Sequence, residues 1–288
     1  MNKDQNINEK KIIFISSYPK SGNTWIRIVL SSLLNKNRGL FELKNLEEIK
    51  LFSQFVYFSH FENLKYQSNG NLDLGYVSNN WINAQKRINQ RAKKVRFFKT
   101  HCIRGIVNGN FFTNENVCLG YIYVIRDPRD VVISVSKHMG ISIDEAIQIM
   151  LFNNKFVTSA FKVNEPVGTW KNHLKSWLDF KKVSRLIIKY EDMISNSHKT
   201  IDQIIKYLKN TAKIQVNKDQ DLINNILQST NFTRLQKLEK KTGFDEASDH
   251  SVFFRAGKSK QWKNILTIEQ IKLIEKELYD QMIMLGYL

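Results

Sequence analysis

Two cysteines, Cys102 and Cys118, are all that 288 residues provide. That is too few for a disulfide framework, and no Cys/His cluster has metal-ligand spacing. A reducing cytoplasm and a metal-free site are the resulting expectations. Long apolar runs are missing as well. None approaches the ~20 residues that cross a bilayer, and Met1 to Lys11 is polar and charged, unlike a secretory leader. No tract of Pro, Gly or Ser interrupts the chain, and there is no internal repeat, so residues 1–288 are expected to form one domain with ample length for a core.

Acidic charge is in short supply. Lysine plus arginine number 44 against 27 acids, a net charge of +17. A field of that sign attracts nucleotides, nucleic acid and acidic surfaces alike, so it gives the sign of a partner and not its identity. The basic residues are scattered and no nucleic-acid-binding signature accompanies them, which argues against nucleic acid. An apolar fraction of 42% and a charged fraction of 25% are those of an ordinary globular protein.

Four segments rich in β-branched and aromatic residues predict strands: Ile12 to Ser16, Val95 to Thr100, Tyr121 to Ile125 and Leu186 to Tyr190. Helical patterns lie between and after them. Ile26, Val29, Leu30 and Leu33 make one apolar stripe, and Ile268, Ile271, Ile274 and Leu278 make another. Strands separated by helices predict an α/β fold, a central mostly parallel sheet flanked by helices on both faces. Ligands of such sheets bind beyond the carboxyl ends of the strands. Phe41 to Trp81 is a less regular, aromatic-rich insertion, read first as aromatic packing in a helical subdomain and second as an acceptor-binding wall.

The first strand runs into Tyr18-Pro19-Lys20-Ser21-Gly22-Asn23-Thr24-Trp25, ahead of an amphipathic helix. A small-residue loop there aims backbone N–H groups at one point, where the helix dipole also favours negative charge. Lys20 adds a cation, and Ser21, Asn23 and Thr24 add donors that can also cap the helix. A ligand-free turn and cap is the plainer alternative. The loop is not a Walker A motif, because its lysine precedes the glycine. After the third strand, Arg126 can grip a phosphate bidentately and Ser134, on the following helix, can add a hydroxyl. The competing reading is an Arg/Asp-rich loop bonded to itself, with Asp127 and Asp130 as caps.

The loop resembles the 5′-phosphosulfate loop of the cytosolic sulfotransferases that use 3′-phosphoadenosine 5′-phosphosulfate (PAPS), Tyr-Pro-Lys-Ser-Gly-Thr-Thr-Trp, with Asn23 the one departure. Arg126 and Ser134 resemble the family's 3′-phosphate pair. Phe254-Arg255-Ala256-Gly257-Lys258-Ser259-Lys260-Gln261-Trp262-Lys263 resembles its Arg-Lys-Gly-x-x-Gly-Asp-Trp-Lys, with Ala256 in place of the lysine, so that charge there comes from Arg255 alone or is restored by Lys258. Tyr190 and Thr230-Asn231-Phe232 resemble the family's adenosine contacts. The likeness runs from about Ile12 to Asn264 and implies a P-loop-like sulfotransferase fold, with Lys20, Ser21, Gly22, Asn23, Thr24, Trp25, Arg126, Ser134, Tyr190, Thr230, Phe232, Arg255, Ala256 and Gly257 holding PAPS or its product, adenosine 3′,5′-bisphosphate (PAP).

Lys99 and His101 fall on one face of a strand end, while Cys102 points away. A neutral imidazole with a pKa near ~6.5 can take a proton from an acceptor, and the family's Lys-Thr-His motif supplies its general base, so the resemblance makes His101 the base. Lys20 and Lys99 then stabilise developing charge, with Ser134 holding Lys20 back. The absence of a membrane anchor points to a small-molecule acceptor. The family's dimer motif is echoed by Lys263, Thr267 and Ile268, with Lys272 where a glutamate belongs, so a homodimer through the C-terminal region is a further expectation. A nucleotide-dependent kinase and a catalytically silent PAPS-binding protein are the alternatives.

Overall fold

The computed structural model describes residues 9–35, 41–160 and 162–288; most of the polar start from Met1 lies outside them. In chain order its strands are β1 (Ile12–Ser17), β2 (Lys50–Leu51), β3 (Arg96–Thr100), β4 (Ile106–Val107), β5 (Asn110–Phe111), β6 (Cys118–Ile125), β7 (Val157–Ala160), β8 (Val163–Pro166) and β9 (Ser184–Lys189). The helices are α1 (Asn23–Leu34), α2 (Leu74–Arg91), α3 (Pro128–Met139), α4 (Ile143–Phe152), α5 (Trp170–Leu178), α6 (Tyr190–Ser195), α7 (Ser197–Tyr207), α8 (Gln220–Ser229), α9 (Phe232–Thr242), α10 (Trp262–Ile265), α11 (Ile268–Glu277) and α12 (Tyr279–Leu285).

Five strands form one sheet in the order β2-β3-β1-β6-β9, with every pairing parallel. All six residues of β1 are buried, as a strand covered on both faces requires. The period-2 alternation divides its side chains. Ile12 and Phe14 join a core with Trp81, Tyr121, Tyr123 and Trp177, and Ile13 and Ile15 join a second core with the α1 stripe Ile26, Val29, Leu30 and Leu33.

The four predicted strands are present with shifted ends. β9 stops at Lys189, and Tyr190 opens α6 instead of closing a strand. The edge strand β2 is two residues long, too short to leave a periodic signal. In the C-terminal stripe Ile274 and Leu278 are buried, but Ile268 at the start of α11 is 65% exposed, because the first turn of that helix projects past the core. The insertion from Phe41 to Trp81 supports the packing reading: Phe52 and Phe58 are buried, and Phe52 meets Phe14 edge-on at 5.5 Å. Its aromatics Phe52, Phe55, Tyr57, Phe58, Phe61, Tyr66, Tyr76 and Trp81 do not line the main cavity, whose wall takes Leu46, Ile49, Lys50, Leu51 and Gln54 from this stretch.

Candidate functional site

A cavity of about 1040 Å³ opens beyond the carboxyl ends of β1, β3, β6 and β9. The β1–α1 connection forms its floor. Gly22 holds φ 104°, and a Cβ there would lie 2.6 Å from the Tyr190 ring and 2.8 Å from Met193, so a residue without a side chain is needed. Lys20 itself adopts φ 65°, a costly backbone for a non-glycine residue that is concentrated at ligand sites. No side chain caps α1, which leaves its first N–H groups for an anion.

The polar residues of this loop divide their work in ways the sequence did not foretell. Asn23 donates to the Ile15 carbonyl at 2.9 Å and braces the strand end. Ser21 is buried and lies off the cavity wall, its hydroxyl without a partner among the described residues. Lys20, Gly22, Asn23, Thr24 and Trp25 all line the cavity. Ser134 also lines it, yet no hydrogen bond from Ser134 to Lys20 is present among the described residues. The Lys20 ammonium instead meets His138 Nδ1 at 3.5 Å and the Phe253 ring at 4.1 Å. His138 lies one turn beyond Ser134 on the same face of α3, an i,i+4 relation that was available in the sequence. Burial, then Lys99, lowers the Lys20 pKa to about 8.

At the other end, Arg126 is buried with its guanidinium 4.2 Å from the Tyr190 ring centre. It donates to the carbonyls of Lys20 at 3.3 Å and Lys258 at 3.1 Å, tying the two loops together. Asp130 supplies a second tie, accepting from the N–H groups of Lys260 at 2.7 Å and Trp262 at 3.1 Å. The self-bonded reading holds for the neighbouring residues: Asp127 caps α3 and Arg129 closes onto it at 2.7 Å. Arg255, Ala256 and Gly257 line the cavity. Lys258, the alternative source of the charge missing at Ala256, is exposed and off its wall. A Cβ on Gly257 would come within 2.3 Å of the Phe232 ring, which explains glycine there. Thr230 is on the wall too, but its hydroxyl donates to Ile226 at 2.9 Å.

His101 sits where β3 ends. Its Nδ1 is 2.8 Å from the Ser17 carbonyl; a carbonyl only accepts, so Nδ1 carries the proton and Nε2 keeps a lone pair. Burial, then the charge of Lys99, lowers its pKa to about 3. Behind it, His173 Nε2 donates to the His101 carbonyl at 3.1 Å and Nδ1 accepts from Tyr123 at 2.7 Å. Glu165 accepts from the His101 N–H at 3.2 Å and from Thr100 at 2.7 Å. Cys102 is buried in the core away from the cavity, as strand alternation requires. Lys99 is paired with Glu246 at 2.8 Å, a partner that no sequence pattern indicated.

Residues 10–285 match a family model described as Sulfotransferase domain. Relatives include Sulfotransferase 1 family member D1 of Mus musculus, 27% identical over 278 residues that cover 94% of this chain and 83% of that protein. Sulfotransferase 1E1 of Bos taurus is 26% identical over 263 residues, covering 89% and 78%. Among solved structures, mouse sulfotransferase SULT7A1 complexed with PAP aligns at TM-score 0.62 and 19% identity over 95% of this chain and 85% of that one. Retinol dehydratase in complex with androsterone and inactive cofactor PAP aligns at TM-score 0.63 and 18% identity, over 96% and 82%. At such identities the structural likeness is one of fold.

Proposed function

The chain belongs to the sulfotransferase domain family, and from that premise we propose that it moves a sulfuryl group from PAPS to a hydroxyl or amine of a small-molecule acceptor. The 5′-phosphosulfate is read onto the Lys20 to Trp25 loop, the 3′-phosphate onto Arg126, Ser134 and Arg255, and adenosine onto Tyr190, Thr230 and Phe232. Two solved relatives carry PAP by their own descriptions, which supports the choice of donor.

The observation that carries the catalytic reading is the bond from His101 Nδ1 to the Ser17 carbonyl, since it leaves Nε2 unprotonated on the cavity wall. In the step we propose, Nε2 takes the acceptor's proton as the acceptor oxygen or nitrogen bonds to sulfur. The bond between sulfur and the bridging oxygen breaks, and PAP departs with the electron pair on its 5′-phosphate. Lys20 and Lys99 stabilise that charge, and oriented cations in a dry site are the strongest such aid. In-line geometry supplies the rest.

Replacing His101 by Ala should lower turnover by roughly 10²- to 10⁴-fold, the worth of a general base, with the PAP dissociation constant unchanged. Product mass and calorimetry read the two quantities; normal turnover in the variant removes His101 from the role. Calorimetry should also show a preference for PAP over AMP, because AMP lacks the 3′-phosphate that Arg126 and Arg255 are read to bind. A homodimer through the region of Lys263 and Ile268 belongs to the same reading, and the exposed Ile268 supports it. Ile268→Asp should convert that dimer to monomer in sedimentation, and a monomeric wild-type protein would sink it.

A further inference from the structure

Two of the cavity's buried cations, Arg27 and Lys99, already hold an anion supplied by the chain. Glu246 reaches in from the segment that follows α9. One of its carboxylate oxygens accepts from Lys99 Nζ at 2.8 Å and from the Thr24 hydroxyl at 3.3 Å; the other accepts from Arg27 Nη1. Arg27 is 3% exposed and belongs to none of the anion motifs, and its Nε is buried with no partner among the described residues. These three donors come from the first turn of α1, its second turn, and the end of β3 beside His101. The same segment lays Phe253 against Lys20. One stretch of chain therefore covers both lysines assigned to the chemistry.

A carboxylate and a terminal sulfuryl group each bear a single negative charge and spread it over a fan of oxygens. Exchanging one for the other keeps the local balance at two cations to one anion. Leaving the cradle empty would set Lys99 and Arg27 against each other in a poorly solvated place, which is costly. Burial alone would raise the pKa of Glu246, but Lys99 and Arg27 together outweigh it and hold the carboxyl far below the usual carboxylate range, so the occupant is charged at every working pH.

From this geometry, and resting on the PAPS reading above, we infer that Thr24, Arg27 and Lys99 form the subsite for the donor's transferable sulfuryl group. Arg27 is then a catalytic residue, and Glu246 is an internal stand-in that the donor displaces. The displacement is selective by construction. PAP has no sulfuryl group, so PAP and the Glu246 carboxylate occupy the cavity together, whereas PAPS and Glu246 exclude each other. After transfer the returning carboxylate refills the subsite.

The test compares dissociation constants for PAP and PAPS, the latter in a His101→Ala background to prevent turnover. Glu246→Gln keeps the side chain's shape and removes its charge. It should tighten PAPS roughly tenfold, the effect of one partly screened charge, and leave PAP within about twofold. Arg27→Gln in the otherwise wild-type protein should lower kcat about 10²- to 10³-fold, as loss of one charge-stabilising donor does, with PAP binding intact and the folded state verified by thermal unfolding. Unchanged or weaker PAPS binding in Glu246→Gln overturns the inference. Equal weakening of PAP and PAPS also overturns it, since Glu246 would then be a latch for its segment. Failure of the wild-type protein to bind PAP is a separate result, and it removes the donor reading first.

Discussion

On the proposed general-base role, burial and then the charge of Lys99 give His101 a distinct pH signature. Its pKa is lowered to about 3, so the neutral, proton-accepting form is present at every pH above that value. The acid limb of kcat/KM therefore falls well below ~6.5, the value of a free imidazole; a limb at ~6.5 would contradict the arrangement. Lys20 behaves in the opposite sense. It acts as a cation, its pKa is lowered to about 8, and activity is lost as pH rises through that point. Lys20→Arg should remove the alkaline limb, because guanidinium keeps its proton beyond ~12. Initial rates across pH at subsaturating PAPS measure both limbs. Asn23 illustrates what residue type alone leaves open at this scale. Its side-chain amide donates to the Ile15 carbonyl, while the Thr24 hydroxyl donates to the Glu246 carboxylate.

Among the elements, the strand-to-helix connections do the positioning, and glycine is their critical residue. Gly22→Ala places a Cβ against the Tyr190 ring and Met193 at φ 104°. The expected cost is about 1–3 kcal/mol of stability, together with a PAP affinity reduced more than tenfold, since the loop and the ring under Arg126 would both shift. Thermal unfolding and calorimetry measure these; a variant with native melting and native PAP affinity would show that the loop has slack. Strand cores were legible because β-branched runs buried on both faces have few polar interruptions. Their ends were less so. Tyr190 continues the apolar run of β9, but the chain turns into α6 at that residue, where its ring packs on Arg126. Ile268 fits a helical stripe by spacing, while its exposure depends on where α11 meets the core.

At the scale of the molecule, a net charge of +17 draws a polyanionic nucleotide toward a cavity lined by Lys20, Lys99, Arg126 and Arg255. Steering of this kind weakens as salt shortens the screening length from ~30 Å at 0.01 M to ~8 Å at 0.15 M. The association rate of PAP should fall several-fold over that range in stopped-flow measurements, and a flat response would confine the charge to short-range contacts. By itself the sequence determined the α/β sheet, the strand-to-helix loop at Lys20 to Trp25 and the position of His101, because hydrophobic period, turn chemistry and a contiguous motif are all local along the chain. The tertiary structure alone decided that Glu246, 219 positions from Arg27, closes onto Arg27 and Lys99, and that the Lys20 ammonium meets His138. Contacts of that kind follow from how separate elements stack around a shared cavity, and the free energy of burying charge in pairs leaves no periodic trace in either segment.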